Sequence, residues 1–116
     1  FQSVDRHFLH QANIFIIQNI SKRIGIDFNN VPISIDRYGN TGAATIPLTI
    51  CDYYAKNNKA IISEKISICG FGIGLSLGVG IFEMEETVIF PISICDQYYD
   101  DNIDNLHNET TKMVND

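Results

Sequence analysis

Apolar positions along this chain change their period, and each change marks an element. Ile14, Ile17, Ile20 and Ile24 recur three or four residues apart, the spacing of one helical face, and predict a helix over 11–24. Lys22 and Arg23 fall in its last turn and Gly25 follows, as a helix end prefers. Residues 7–9 read as the end of a buried strand. Val31, Ile33 and Ile35 alternate and predict a short strand over 31–35 with an irregular start at Pro32. A second helix is predicted over 41–57, where Pro47 would remove a backbone bond and mark a bend. Residues 65–70, apolar at Ile66 and Ile68, predict a third strand. Residues 70–74 form a Gly-rich turn, and 75–82 a returning strand in which Gly78 and Gly80 suggest a bulge or a close backbone approach. Residues 87–95 offer one more strand, interrupted by Pro91. From Asp96 the chain is acidic, Asn-rich and poor in apolar residues, which reads as a surface helix or a mobile tail. No internal repeat is visible.

The order strand–helix–strand–helix–strand–strand predicts an α/β fold with a mixed sheet. Alternating strands and helices give parallel pairs through right-handed crossovers. The last, tight connection gives an antiparallel edge.

Composition and charge narrow the class. At 116 residues the chain is one domain or part of a larger one, and its 45% apolar content is that of a globular protein. A net charge of −6 argues against a nucleic-acid binder, which needs a basic face. The charge is uneven: residues 1–82 hold seven basic and five acidic side chains, residues 83–116 one basic and nine acidic. Cys51, Cys69 and Cys95 have no metal-type spacing and read as isolated thiols of a reducing cytoplasm; no metal site is expected. The charge-free stretch 66–82 contains five glycines and reads as two strands rather than a membrane helix. Phe1 has no Met before it, so the front of a longer protein is expected to be missing.

Two positions stand out chemically. His10 sits where the first strand ends and a helical pattern begins; Asn40, in Tyr38-Gly39-Asn40-Thr41, precedes the second helical pattern. Backbone N–H groups are free at such junctions. An imidazole and a carboxamide placed there donate hydrogen bonds to an oxygen that gains negative charge during a reaction, the chemistry of carbon–carbon bond making through an enolate. The Gly-rich turn fails the dinucleotide fingerprint, because Leu75, or Leu77 if the pattern is shifted, stands at the third glycine site. No Gly-Lys-Ser/Thr occurs either. Glycines in such a turn let the main chain approach a bound carbonyl. His7 and His107 read as ordinary hydrogen-bonded residues.

Three motifs then agree in order and spacing: His10-Gln11-Ala12-Asn13; Tyr38-Gly39-Asn40-Thr41 with Ala44 and Ile46-Pro47 downstream; and Gly70-Phe71-Gly72-Ile73-Gly74. Together, over roughly residues 5–82, they closely resemble the C-terminal half of β-ketoacyl-acyl-carrier-protein synthase III, of the thiolase superfamily. The resemblance implies that residues 1–95 are the C-terminal portion of a thiolase-like condensing-enzyme domain, with 96–116 an acidic extension. It implies an acyltransferase: a cysteine takes an acyl group as a thioester, malonyl thioester loses carbon dioxide, and the enolate attacks the acyl carbon. His10, as a neutral imidazole, and Asn40 would hold the enolate oxyanion. Phe71 would face the malonyl carboxylate, and the backbone N–H of Ile73 would bind the acyl thioester oxygen. Ala12 and Asn13 would lie beside the pantetheine arm, although Asn13 also suits a helix cap. No cofactor is implied, since substrates ride on the phosphopantetheine of acyl carrier protein or on CoA. The implied partners are acyl carrier protein, an acyl-CoA or malonyl thioester and, in a full-length cytoplasmic enzyme, a second copy as homodimer; no nucleic acid or membrane is implied.

Departures from the family pattern matter. None of the three cysteines stands at the nucleophile's position, so this chain alone is expected to be inactive. The family places an Arg two residues after Asn13 to dock the carrier; here the residue is Phe15. Lys22 and Arg23 remain as a basic pair for carrier docking, or simply as helix-end charges. The loss of that Arg leaves open a homologue that transfers acyl groups or joins two acyl chains for specialised lipids, polyketides or surface polysaccharides. A non-catalytic module that binds acyl thioesters is a further alternative.

Overall fold

A strand, three helices and a hairpin follow one another through residues 3–59 and 61–95, the part of the computed structural model described below. They are β1 (Arg6–Leu9), α1 (Ile14–Ile24), α2 (Ile35–Tyr38), α3 (Thr45–Lys56), β2 (Ile61–Gly72) and β3 (Ser76–Val88). Short 3-10 turns at Phe28–Asn30, Gly42–Ala44 and Ile73–Leu75 connect them. The sheet order is β1-β2-β3. β1 runs parallel to β2 and β3 antiparallel to it, so the mixed α/β sheet has the expected parallel crossover and tight hairpin.

Successive residues of β1 point to opposite faces, and the core divides accordingly. Phe8 joins Tyr54, Ile62 and Ile66, with Ile46, Ile50 and Tyr53 of α3 packed on them. Leu9 joins Ile17 of α1 and Val31, with Ile20, Ile26 and Ile33 around them. β1 and the adjoining part of β2 therefore lie between α3 and α1. A clamp closes the α3–β2 connection: Tyr54 Oη and Lys59 Nζ both donate to Glu64, each at 2.8 Å. Burial acts to raise the Glu64 carboxyl, but these hydrogen bonds and the nearby positive charges outweigh it and hold the group below the ordinary carboxylate value. Burial and the bond to Glu64 push the Tyr54 phenol up.

Several expectations need correction. The stretch 31–35 is not a strand. Pro32 has no donor, Val31 N–H bonds Phe28 O at 3.0 Å, and Ser34 and Ile35 N–H groups both donate to Gln11 Oε1 at 3.0 and 3.3 Å. Those donors are therefore not available to a neighbouring strand. The same Gln11 is wholly buried, which moves the start of α1 from 11 to 14, with Asn13 as its cap. The second helix begins at Thr45 rather than 41, after a 3-10 turn. Pro47 then lies in the first turn, where N–H groups lack partners anyway, and the expected bend has no cause. β2 and β3 are longer than predicted, and the register shift lies at Ile62/Glu64, not at the glycines of β3. A Cβ on Gly80 would sit 2.8 Å from the Phe82 ring, so the close approach there is to a side chain. Thr87 and Val88 end β3, and residues 89–95 form no strand; Ile89 packs on the α3 side of the core instead. The expected tail, 96–116, lies outside the described residues. Among those described, no helix is long and apolar enough to cross a membrane.

Candidate active site

The first strand delivers His10 to the edge of an open cavity. Its backbone N–H continues the β1–β2 ladder by donating to Cys69 O at 2.9 Å. Gln11, the next residue, turns inward and donates to Leu9 O at 2.8 Å, so the chain leaves the sheet with the imidazole directed away from the core. The ring Nδ1 lies 2.6 Å from Thr45 Oγ1 at the start of α3. The Phe71 ring meets the imidazole edge-on, with centroids 5.1 Å apart and planes at 89°. Nε2 makes no hydrogen bond among the described residues, and none of their buried side-chain nitrogens lacks a partner.

Asn40 comes to the same cavity from the α2–α3 loop. Gly39, at φ 67 and ψ −159, has a backbone conformation that essentially only glycine adopts. The two residues before it are tied down, because Arg37 and Tyr38 both donate to Asp52 of α3. The Asn40 Oδ1 accepts the Gly42 N–H at 3.0 Å, an Asx turn that commits the oxygen and leaves the amide NH2 as a donor. Gly42 follows at φ 63, a left-handed conformation that favours glycine.

The cavity has a volume of about 680 Å³, and His10, Asn40, Phe71, Ile73, Thr45 and Leu77 are among its lining residues. Four of the expected site residues, His10, Asn40, Phe71 and Ile73, are thus brought together. Gly70, Gly72 and Gly78 form part of the wall, so main chain is exposed to whatever occupies it. Ile73 opens the hairpin turn, where Gly74 at φ 76 and Leu75 at φ 56 take left-handed conformations. Ala12 and Asn13 do not line this space. They border a separate hollow of about 390 Å³ with Ile14, Phe15, Ile33, Ile35 and Asp36. The Asn13 Oδ1 accepts from Phe15 N–H at 2.8 Å and caps α1. Lys22 and Arg23 lie in the last turn of α1, about 14 Å along the axis from Asn13 at 1.5 Å per residue. Both are exposed.

None of the cysteines lines the main cavity. Cys51 is half-buried, Cys95 exposed, and Cys69 half-buried with its thiol pushed up by burial, the opposite of an activated nucleophile. His7, three residues before His10, is buried against Ser67 at 2.7 Å, and burial lowers its pKa. Among the described residues no group of three metal-ligating side chains occurs. Thr45 and Gln11 are functional neighbours that sequence reasoning missed. Each acts on a residue more than twenty positions away, and although Gln11 stands inside the His10 motif, nothing local names either partner.

A family model and curated relatives show the family of this chain. A family model described as 3-oxoacyl-[acyl-carrier-protein (ACP)] synthase III C terminal matches residues 1–84. A β-ketoacyl-[acyl-carrier-protein] synthase III from Neorickettsia sennetsu is 40% identical over 82 residues, covering 71% of this chain and 26% of the relative. One from Staphylococcus aureus is 43% identical over 75 residues, covering 65% and 24%. Among solved structures, a 3-oxoacyl-(acyl-carrier protein) synthase from Burkholderia xenovorans aligns with a TM-score of 0.70 and 30% identity, over 78% of this chain and 26% of that one. The synthase III of Thermus thermophilus aligns at 0.65 and 27%, over 74% and 26%. The chain thus spans about a quarter of the length of the relatives it matches.

Proposed function

This chain belongs to the 3-oxoacyl-[acyl-carrier-protein] synthase III C-terminal family, and on that premise we propose that the whole protein is an acyltransferase that condenses an acyl thioester with malonyl-acyl-carrier protein. The observation that carries the reading is the pairing of His10 and Asn40 on one cavity wall. Each has one polar atom committed to an internal partner, Nδ1 to Thr45 and Oδ1 to Gly42. Nε2–H and the Asn40 amide are left to donate.

Both donors then serve one thioester oxygen of the malonyl group. As the bond between its carboxylate and α-carbon breaks, carbon dioxide leaves and the electron pair passes into the enolate, whose oxyanion the two donors stabilise. The enolate carbon attacks the acyl thioester carbonyl, and a thiolate departs as the new carbon–carbon bond forms. Phe71, edge-on to the imidazole, excludes water from the carboxylate that is lost, and the Ile73 N–H in the turn receives the acyl thioester oxygen. The acyl-bearing thiolate comes from outside the cavity wall described here, since no cysteine of this chain lines it. Ala12 and Asn13 would flank the pantetheine arm from the neighbouring hollow, and Lys22 and Arg23 would meet the acidic carrier. We place the whole protein in the cytoplasm, as a homodimer that uses no metal or further cofactor.

Malonyl-thioester decarboxylation by the whole protein tests this. His10→Ala and Asn40→Ala should each slow it by about 100–1000-fold, the usual effect of removing one oxyanion donor. Wild-type rates in both variants would overturn the assignment.

A further inference from the structure

Resting on that reading, we infer that Thr45 is a positioning residue for His10: its hydroxyl donates to Nδ1 and holds the imidazole as the tautomer whose Nε2–H faces the cavity. A neutral imidazole has one donor and one acceptor nitrogen, and which is which depends on the partner of the nitrogen turned inward. That partner is Thr45 Oγ1 at 2.6 Å. The hydroxyl is buried, with Thr45 only 2% exposed, and His10 is its one hydrogen-bond partner among the described residues. Were Nδ1 the protonated atom, Nε2 would present a lone pair to the cavity and repel an oxyanion. Phe71 fixes the plane of the ring but contacts both tautomers alike. The Thr45 hydroxyl discriminates between them, because its proton has no acceptor other than Nδ1 among the described residues.

Thr45 is itself held in place. Its carbonyl accepts the Thr49 hydroxyl at 2.6 Å. With that proton in use, the 2.6 Å contact between Ser34 Oγ and Thr49 Oγ1 must have Ser34 as donor. Ser34 N–H in turn bonds Gln11, the residue after His10. Gln11, Ser34, Thr45 and Thr49 are all at most 2% exposed. A closed polar chain thus runs from the histidine's neighbour to the threonine that orients its ring. A fully satisfied buried network of this kind is rigid. The hydroxyl therefore reaches Nδ1 without ordering anything further.

The tautomer is read directly by nitrogen NMR on whole protein labelled with 15N-histidine, with the His10 signals assigned by their loss in a His10→Gln variant. The wild type should show a pyridine-like Nδ1 and a pyrrole-like Nε2. Thr45→Val, which keeps the shape but lacks the hydroxyl, should give averaged signals from both tautomers, and Thr45→Ser should restore the wild-type pattern. In parallel, Thr45→Val should lower kcat for malonyl-thioester decarboxylation by about tenfold to a hundredfold, the range seen when the outer partner of a metal-ligating histidine is removed. KM should change little. A proton on Nδ1 in the wild type, or a Thr45→Val spectrum identical to it, overturns the inference, and the wild-type measurement decides even if the variants fold poorly. A Thr45→Val enzyme with wild-type kcat beside an inactive His10→Ala enzyme also sinks the inference while the proposed activity stands. Unchanged decarboxylation in His10→Ala removes the proposed oxyanion role of His10 and leaves the tautomer for the spectrum to decide.

Discussion

Asn13 shows how far one residue can be read before its surroundings are known. In sequence it suits both a helix cap and a contact with the substrate arm. In the fold its Oδ1 bonds the Phe15 N–H, a bond any cap would make, while the side chain borders the hollow beside the main cavity. The two roles separate by mutation. Asp caps a helix about as well as Asn, so Asn13→Asp should preserve the denaturation midpoint, whereas Asn13→Ala should lower stability by about 1 kcal/mol. If only the cap matters, Asn13→Asp keeps its KM for the malonyl thioester; a raised KM with an unchanged midpoint marks a substrate contact. His10 and Asn40 were legible because each sits in a short motif at an element boundary. The roles of Thr45 and of Gln11, which shares the His10 motif, were not, because they depend on partners 35 and 23 residues away. No periodicity encodes such a distance.

Helices and strands were legible where their period was long enough to declare itself, and their ends were not. The apolar spacing of α1 located its body, yet buried Gln11 displaced its start. Five residues from Val31 to Ile35 alternate as a strand would, but a local turn and one distant side chain had already taken most of their donors. Pro47 is the clearest case. Inside a helix interior a proline costs about 3 kcal/mol, so its replacement by Ala would stabilise the protein. In the first turn of α3 the position is compatible with proline, which then stabilises by restricting the unfolded chain. Pro47→Ala should therefore destabilise by about 0.4–1 kcal/mol, as read by chemical denaturation. The sign decides between the two descriptions: a more stable variant would mean that the proline strains α3 after all.

At the scale of the whole molecule, the sheet is covered unevenly. α3 packs one face and α1 the β1 side of the other, but nothing described covers β3 there. Leu77, Val79 and Ile81 alternate along that strand and are 69%, 61% and 53% exposed. Their register partners on β2 are Phe71, Cys69 and Ser67. Phe71 and Leu77 also line the cavity that holds His10 and Asn40, and they border an apolar hollow of about 400 Å³ reaching back to Ile20 and Ile24 of α1. One apolar surface therefore runs from the cavity across an edge strand, and edge strands with exposed apolar rows pair readily with other chains. The 116-residue chain taken by itself should self-associate as its concentration rises, measured by sedimentation velocity. Replacing Leu77 and Val79 together by Ser should shift it toward monomer while the far-ultraviolet circular dichroism stays the same. A wild-type chain that stays monomeric across the micromolar range would show that this face tolerates water. Because Leu77 belongs to both surfaces, a chain that paired over this face of β3 would also adjoin the cavity of His10 and Asn40.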